Sequence, residues 1–291
     1  MGSIRRVSIY ICGILLAIWT LLPIYYFLDL SFMFEAEISS VPFHYIPEEI
    51  TWSNYAVILG YQVETIYGTV GPSGYAPAII RGLVNSIIVS LPATVLALLI
   101  SIPVGYAFAR YVFPRKNTLL MILLFSRALP PISIVIPYFI FFKTIGLLGS
   151  TYGLSLIYLT ITVPLSVWIL TGFFSTLPIE IEKAARVDGC GRMRALLRVT
   201  IPMASSGIAA VGILIFLLCW NEFLFAYILT NGTPAQTLPP VLPGMLTTYH
   251  VYNNELAAAA VLSIIPPILI GALFGRYIIR LKIVDPLTIG G

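Results

Sequence analysis

Apolar segments long enough to cross a lipid bilayer recur along this chain, and they constrain its fold more than any other feature. The first covers residues 7–28, and five more are expected at about 78–109, 118–142, 153–174, 203–229 and 256–279. About 20 consecutive apolar residues span the hydrocarbon core as an α-helix. Only 10% of the residues are charged, against about 25% in soluble domains. The sequence therefore predicts an all-α, polytopic membrane protein, in which residues 1–291 form a single transmembrane domain of six helices.

The first apolar segment has two interpretations, a cleaved signal peptide and a retained helix. Arg5 and Arg6 precede it, as they would in either case. The apolar region of a signal peptide usually has about 7–15 residues and ends at a small-residue cleavage site. Residues 7–28 exceed that length and lack such a site, which favours a retained first helix.

Lysine and arginine residues at the helix ends indicate the orientation. On one side fall Arg5, Arg6, Arg110, Arg115, Lys116, Arg276, Arg280 and Lys282, together with the cations of residues 176–202. Only Arg81 and Lys143 fall near the other side. Short cytoplasmic loops carry the excess of Lys and Arg, so both termini are predicted to be cytoplasmic. The loops 29–77 and 230–255 then face outward.

The basic charge of the chain does not indicate a nucleic-acid partner. The formal net charge is +4, but the cations are dispersed along membrane edges, where they are expected to meet lipid. Cys12, Cys190 and Cys219 lack metal or redox spacing, and His44 and His250 are isolated. The sequence contains no phosphate-binding G-x-x-x-x-G-K-[ST] motif. Neither a metal site, a bound cofactor nor a catalytic residue is therefore predicted.

Residues 176–202, called the central segment below, form the most strongly charged part of the second half of the chain. Thr176 is expected to cap a first helix and Pro178 to stand in its first turn. Gly189 and Gly191 predict a turn. A second apolar stripe at i, i+3, i+4, i+7 spacing comprises Met193, Leu196, Leu197 and Thr200. The pattern predicts helix, turn and helix, which could also be a basic connector lying on anionic lipid.

The central segment resembles the EAA loop of ABC importer permeases, because Ala184-Ala185, Asp188-Gly189 and then Ile201-Pro202 match its pattern. Further segments resemble the carbohydrate branch of that family. They are Asn85-Ser86, the run from Gly105 to Arg110, the run from Arg127 to Pro131, Ile136-Pro137-Tyr138, Gly146-Leu147-Leu148, Trp220-Asn221-Glu222-Phe223 and the run from Gln236 to Pro239. The short N-terminal region and the C-terminal tail resemble the smaller maltose-type permease subunit. The match begins at about Asn85, whereas residues 1–80 match mainly in topology.

The resemblance implies a type I ABC importer that transports a sugar by ATP-driven alternating access. Its partners would be a second permease subunit, a cytoplasmic ATPase dimer that binds ATP and Mg, and an extracytoplasmic sugar-binding protein. The residues that it implies for ATPase docking are Glu182, Ala184, Ala185, Asp188, Gly189 and Pro202, with Leu287, Thr288 and Gly290 of the tail reaching between the ATPase subunits. Lys183 departs from the family, which usually has Glu there, and Glu182 is a possible substitute.

Candidates for the sugar path come from polar and aromatic residues at membrane depth. Arg127 lies about nine residues into its predicted helix, roughly 13 Å deep at 1.5 Å per residue. A buried arginine normally faces a partner or a wet cavity, and Glu222 with Asn221 is a candidate partner, either as a lock between helices or in the path. Trp220, Tyr138 and Tyr227 could stack on a sugar or simply pack.

Three other functions remain open from the sequence. An ion-coupled secondary transporter would need acidic groups within the membrane, and only Glu222 is a clear candidate. A membrane-embedded enzyme would need catalytic clusters, which the sequence does not show. An ABC importer for peptides, amino acids or phosphate differs from a sugar importer only in its cargo.

Overall fold

The computed structural model describes residues 2–42, 45–246 and 252–278. The helices in chain order are α1 (Gly2–Ser31), α2 (Glu35–Ile38), α3 (Ser53–Ile58), α4 (Ala76–Arg110), α5 (Lys116–Phe125), α6 (Pro131–Thr144), α7 (Thr151–Ser175), α8 (Ile179–Val187), α9 (Arg192–Ala195), α10 (Ile201–Met203), α11 (Ser205–Trp220), α12 (Leu224–Thr230), α13 (Leu238–Gly244) and α14 (Asn253–Ile278). A hairpin of β1 (Val63–Thr65) and β2 (Gly68–Val70) interrupts them. The predicted all-α class is confirmed.

Within the described ranges, four helices are long and apolar enough to cross a membrane by themselves: Val7–Ser31, Ala76–Arg110, Thr151–Ser175 and Asn253–Gly275. The number rises to six if each of two bent helix pairs is one span. These pairs are Lys116–Ala128 with Pro131–Thr144, and Arg192–Met203 with Ser205–Trp220. The six-span prediction agrees with this upper number. The cytoplasmic position of the termini stays a prediction.

The chain divides into two compact units. The first contains residues 1–80 and 241–265, and the second contains residues 81–240 and 266–291. In the first unit, the loop after α1 folds around Asn54, whose side-chain amide donates to the carbonyls of Ser31 at 2.9 Å and Met33 at 2.8 Å. Met33 is fully buried beside Leu30 and Ala257. The predicted outer loop 29–77 therefore has secondary structure and a small core of its own.

The second unit is built around α7, which packs against α5, α11 and α12. Its side chains Tyr158, Leu170 and Phe174 are fully buried in the main apolar cluster. Gly105 of α4 allows close contact with this helix, because a Cβ at that position would lie 3.0 Å from the Leu170 Cβ. The cluster fixes α4, α7 and α11 with respect to one another within this unit.

The predicted third span is not one straight helix. It breaks between the short 3₁₀ turn Ser126–Ala128 and α6, where the two parts meet at 88°. Pro130 has no amide hydrogen to donate, and a proline disfavours helical geometry in the residue before it. Leu129 accordingly adopts extended dihedral angles, with φ −65° and ψ 127°. The break was predictable from Pro130-Pro131, but the expectation of one helix over 118–142 was wrong.

The predicted fifth span, residues 203–229, is interrupted twice. The chain bends by 79° between Arg192–Met203 and α11. Helix α11 then ends at Trp220, and α12 begins at Leu224. The Glu222 carboxylate accepts the backbone N–H groups of Phe225 at 2.9 Å and Ala226 at 3.0 Å. The amides in the first turn of a helix have no partner within the helix, and the carboxylate satisfies two of them. This stabilises α12 as a new helix that begins after the break.

Candidate functional site

The central segment has the predicted helix–turn–helix order, but its capping differs from the prediction. Thr176 ends α7, and its hydroxyl donates to the Phe173 carbonyl at 2.7 Å. Pro178 occupies the N-terminal cap position of α8, without a side-chain cap. Gly189 has φ +86°, a conformation that other residues rarely adopt. The turn between α8 and α9 therefore depends on this glycine.

The surface of the central segment combines small, apolar and basic groups. Ala184, Asp188, Gly189 and Pro202 are exposed, and Ala185 is half-buried. Exposed apolar side chains beside them are Val187, Met193 and Leu197, at 87%, 64% and 56% exposure. The exposed cations are Lys183, Arg186, Arg192, Arg194 and Arg198. Exposed apolar groups of this size, rimmed by charge, are typical of a protein or membrane contact surface.

The apolar stripe that was predicted for the second helix of the central segment does not form one face. Leu196 and Thr200 are buried, whereas Met193 and Leu197 are exposed. Residues Leu196–Thr200 form a π-helical turn, in which hydrogen bonds run from i to i+5. The wider turn changes the angular spacing, so a stripe that was predicted for an ordinary α-helix is divided between two faces.

Glu182 is not presented at this surface. Its carboxylate is buried and accepts Arg110 Nε at 2.8 Å and the Tyr106 hydroxyl at 3.0 Å. Arg110 Nη2 lies 2.8 Å from the same carboxylate and 3.0 Å from the Leu177 carbonyl that it also binds. Both charged side chains are 8% exposed. This group, called the inner clamp below, fastens α8 to the C-terminal end of α4.

A second polar group fastens the opposite end of α4. The Asn85 side-chain amide donates to the carbonyls of Pro234 and Gln236, both at 2.8 Å. The Ser86 hydroxyl accepts the Leu238 backbone N–H at 2.9 Å and is 1% exposed. This group, called the outer clamp below, joins two of the motifs that resemble the carbohydrate branch.

The proposed partners Arg127 and Glu222 do not form an ion pair. Arg127 lies in the exposed 3₁₀ turn, whereas the Glu222 carboxylate caps α12. The structure therefore assigns Glu222 a role in shaping the break between α11 and α12.

The remaining path candidates differ in exposure. Trp220 is 3% exposed and stacks on Phe216, with ring centroids 5.6 Å apart. Tyr138 is half-buried and lies 6.0 Å from the Phe225 ring. Asn221 is exposed and donates to the Leu217 carbonyl. Of Trp220, Tyr138 and Asn221, Asn221 is the exposed one.

Phe223 and Tyr227 form an exposed aromatic pair beside Asn221. Their rings are 5.4 Å apart and inclined by 22°, and the residues are 41% and 43% exposed. Tyr227 was named from the sequence as a stacking candidate. Phe223 was missed, although its i, i+4 spacing from Tyr227 places both rings on one face of a helix. His44, His250 and the predicted tail contacts Leu287, Thr288 and Gly290 lie outside the described residues.

Helical spans on either side of an exposed, basic central segment define the molecule as a polytopic membrane protein. Residues 101–283 match the family described as "Binding-protein-dependent transport system inner membrane component". The chain belongs to that family and is a multi-pass inner-membrane protein.

Named relatives match over most of their length. The chain is 31% identical to the trehalose transport system permease protein SugB of Mycobacterium tuberculosis, over 96% of both chains. It is 30% identical to the diacetylchitobiose uptake system permease protein NgcG of Streptomyces coelicolor, over 91% of this chain and 84% of the relative. A bacterial ABC transporter that imports alginate has a chain with TM-score 0.76 and 21% identity, covering 94% of this chain and 98% of that one. That structure supports the fold.

Proposed function

We propose that this chain is a permease subunit of an ATP-driven carbohydrate importer, with a disaccharide or short oligosaccharide as cargo. The observation that carries the proposal is an exposed central segment, between two spans, in a chain of the binding-protein-dependent transport family. Relatives named for trehalose and diacetylchitobiose support the cargo class. ATP and Mg bind to a separate ATPase dimer, and a second permease subunit and an extracytoplasmic sugar-binding protein complete the complex.

The docking surface for the ATPase consists of Ala184, Ala185, Asp188 and Gly189. Small residues permit close approach of a partner. Burial of the exposed Val187 and Met193 side chains against that partner would stabilise the complex by roughly 25 cal/mol per Å² of apolar surface. Lys183 is exposed here, where the family usually has an acidic residue. The partner surface facing Lys183 is therefore proposed to be acidic.

The sugar path is proposed to pass the break between α11 and α12. The exposed ring pair of Phe223 and Tyr227 offers an apolar face to a sugar ring, and the adjacent Asn221 amide offers hydrogen bonds to hydroxyl groups. Ligand sites combine apolar lining with a few placed polar groups in this way. Trp220 is buried against Phe216 and is proposed to support this break without touching the sugar.

Reconstitution tests the proposal. The chain, its companion permease, the ATPase and the binding protein are placed in proteoliposomes, and uptake of radiolabelled trehalose and diacetylchitobiose is measured with ATP or a non-hydrolysable analogue. Uptake should require hydrolysable ATP and should persist when ion gradients are collapsed. Uptake that follows an imposed ion gradient without ATP would show a secondary transporter.

A variant pair tests the sugar path in the same assay. The double variant Phe223→Ala with Tyr227→Ala should lower uptake about tenfold, if each contact between a ring and the sugar contributes as much as a pair of aromatic side chains, about 0.5–1.5 kcal/mol. Phe141, which is 55% exposed on α6, gives a matched control as Phe141→Ala. Equal effects of the two changes would show that the ring pair has no special role.

A further inference from the structure

The two clamps lie at opposite ends of one helix. Asn85 and Arg110 both belong to α4 and to the second compact unit. At 1.5 Å per residue, the segment between them is about 38 Å long. The hydrocarbon core of a bilayer is about 30 Å thick. Because α4 is a candidate membrane span, the inner clamp and the outer clamp fall on opposite sides of the membrane.

Each clamp attaches α4 to a part of the chain that is remote in sequence. The inner clamp joins it to α8, 72 residues further on, through the pair of Arg110 and Glu182. The outer clamp joins it to residues 234–238, which begin 149 residues after Asn85. Breaking the buried ion pair of the inner clamp leaves an uncompensated charge. At the outer clamp the Asn85 amide is half-buried, and the buried groups that lose a protein partner on opening are the Ser86 hydroxyl and the Leu238 N–H. Both attachments therefore resist opening when the helix moves.

The side of α4 between the clamps is also fastened. The Ser155 hydroxyl of α7 lies 3.2 Å from the Val89 carbonyl to which it donates, and α7 approaches Gly105 closely. Helix α4 is unbroken over this length, although it contains Pro92 and Pro103. A continuous helix that is held at both ends and along one side moves as one body.

We propose that residues 85–110 transmit movement of the central segment across the membrane to residues 234–238, with Glu182 and Asn85 as positioning residues at the two ends. The inference rests on the proposed function, because the ATPase supplies the movement. It changes the role of Glu182 from a docking residue to an internal attachment. It also gives the Asn85-Ser86 motif a task in coupling that requires no contact with sugar.

A labelling experiment on the complete complex tests this without knowledge of the cargo. Asn231 is exposed in the predicted outer loop 230–255. It is replaced by cysteine in the variant Asn231→Cys. The reaction of this cysteine with a membrane-impermeant maleimide, added outside proteoliposomes, is timed before and after the ATPase is trapped with ATP and vanadate. Trapping should change the labelling rate by at least about fivefold, the lower end of usual coupling between sites.

Loss of either clamp should interrupt this signal. In the Asn231→Cys background, Asn85→Ala and Glu182→Ala are each expected to reduce the change in labelling rate to less than about twofold. Because the two clamps act in series, combining these two substitutions should reduce the change in labelling rate no further than either one alone. Thr162→Val is the matched control, since the buried Thr162 hydroxyl donates to the Tyr158 carbonyl of its own helix and belongs to neither clamp. The control should keep the full change.

Charge exchange separates positioning from folding. Arg110→Glu and Glu182→Arg should each lose the signal, and the two together should restore part of it, because the ion pair returns without the hydrogen bonds to Tyr106 and Leu177. Size-exclusion profiles should show intact complex throughout. A full signal in Asn85→Ala or Glu182→Ala, or single effects that multiply in the double variant, would overturn the transmission role and leave the proposed function standing. Absence of any signal in the unmodified complex would refute ATP-driven coupling as well as transmission.

Discussion

Replacing Glu182 by alanine leaves the Arg110 guanidinium buried without its counter-ion, and this should be the most damaging single change in the central segment. Both side chains are 8% exposed, and the carboxylate accepts from Arg110 and from the Tyr106 hydroxyl. Removing one partner of a buried pair usually costs about 3–5 kcal/mol. The free energy of unfolding of Glu182→Ala should fall by that amount.

A double-mutant cycle in mixed micelles, with unfolding by sodium dodecyl sulfate, measures this cost. Arg110→Ala should be similarly harmful, and the double variant should cost clearly less than the sum of the two, because neither charge is then left alone. Glu180 is exposed on the same helix, so Glu180→Ala serves as a control with an expected change within about 0.5 kcal/mol. Equal losses for the two glutamates, or additive single effects, would refute the inner clamp.

Three further changes have defined outcomes. Gly189→Pro should abolish ATP-coupled uptake while membrane insertion is kept, because proline cannot adopt φ +86°. Gly191→Ala is the control and should transport normally, because Gly191 has φ −64° and an added Cβ would meet no atom within 4 Å. Gly207→Ala should lower the thermal midpoint by several degrees, since its Cβ would lie 2.5 Å from an aromatic ring and overpacking costs about 1–3 kcal/mol; an unchanged midpoint would mean that the ring moves freely. Arg127→Ala and Glu222→Gln should have additive effects on stability, and coupling between them would show a contact that the structure lacks.

The apolar segments were enough to predict the membrane class, because a bilayer leaves a chain few ways to satisfy its backbone. They gave the approximate position of every span. They did not show that two spans are bent. Pro130 signals the first break by its missing donor, whereas the break after Trp220 depends on a carboxylate that caps the next helix.

The central segment shows where sequence reasoning stops. Its turn at Gly189 followed from glycine alone. The interior position of Glu182 did not, because its partners Tyr106 and Arg110 precede it by more than 70 residues and no local pattern links them. The outer clamp was missed for the same reason, although both of its motifs had been noticed separately.

The π-helical turn Leu196–Thr200 lies near the C-terminal end of the central segment, between α9 and α10. Such a turn contains one residue more than α-helical geometry requires. If it tightened to an ordinary α-helix, the released residue would rotate everything after it by about 100° and advance it by about 1.5 Å. A small displacement of the central segment would in that case become a screw motion of α11.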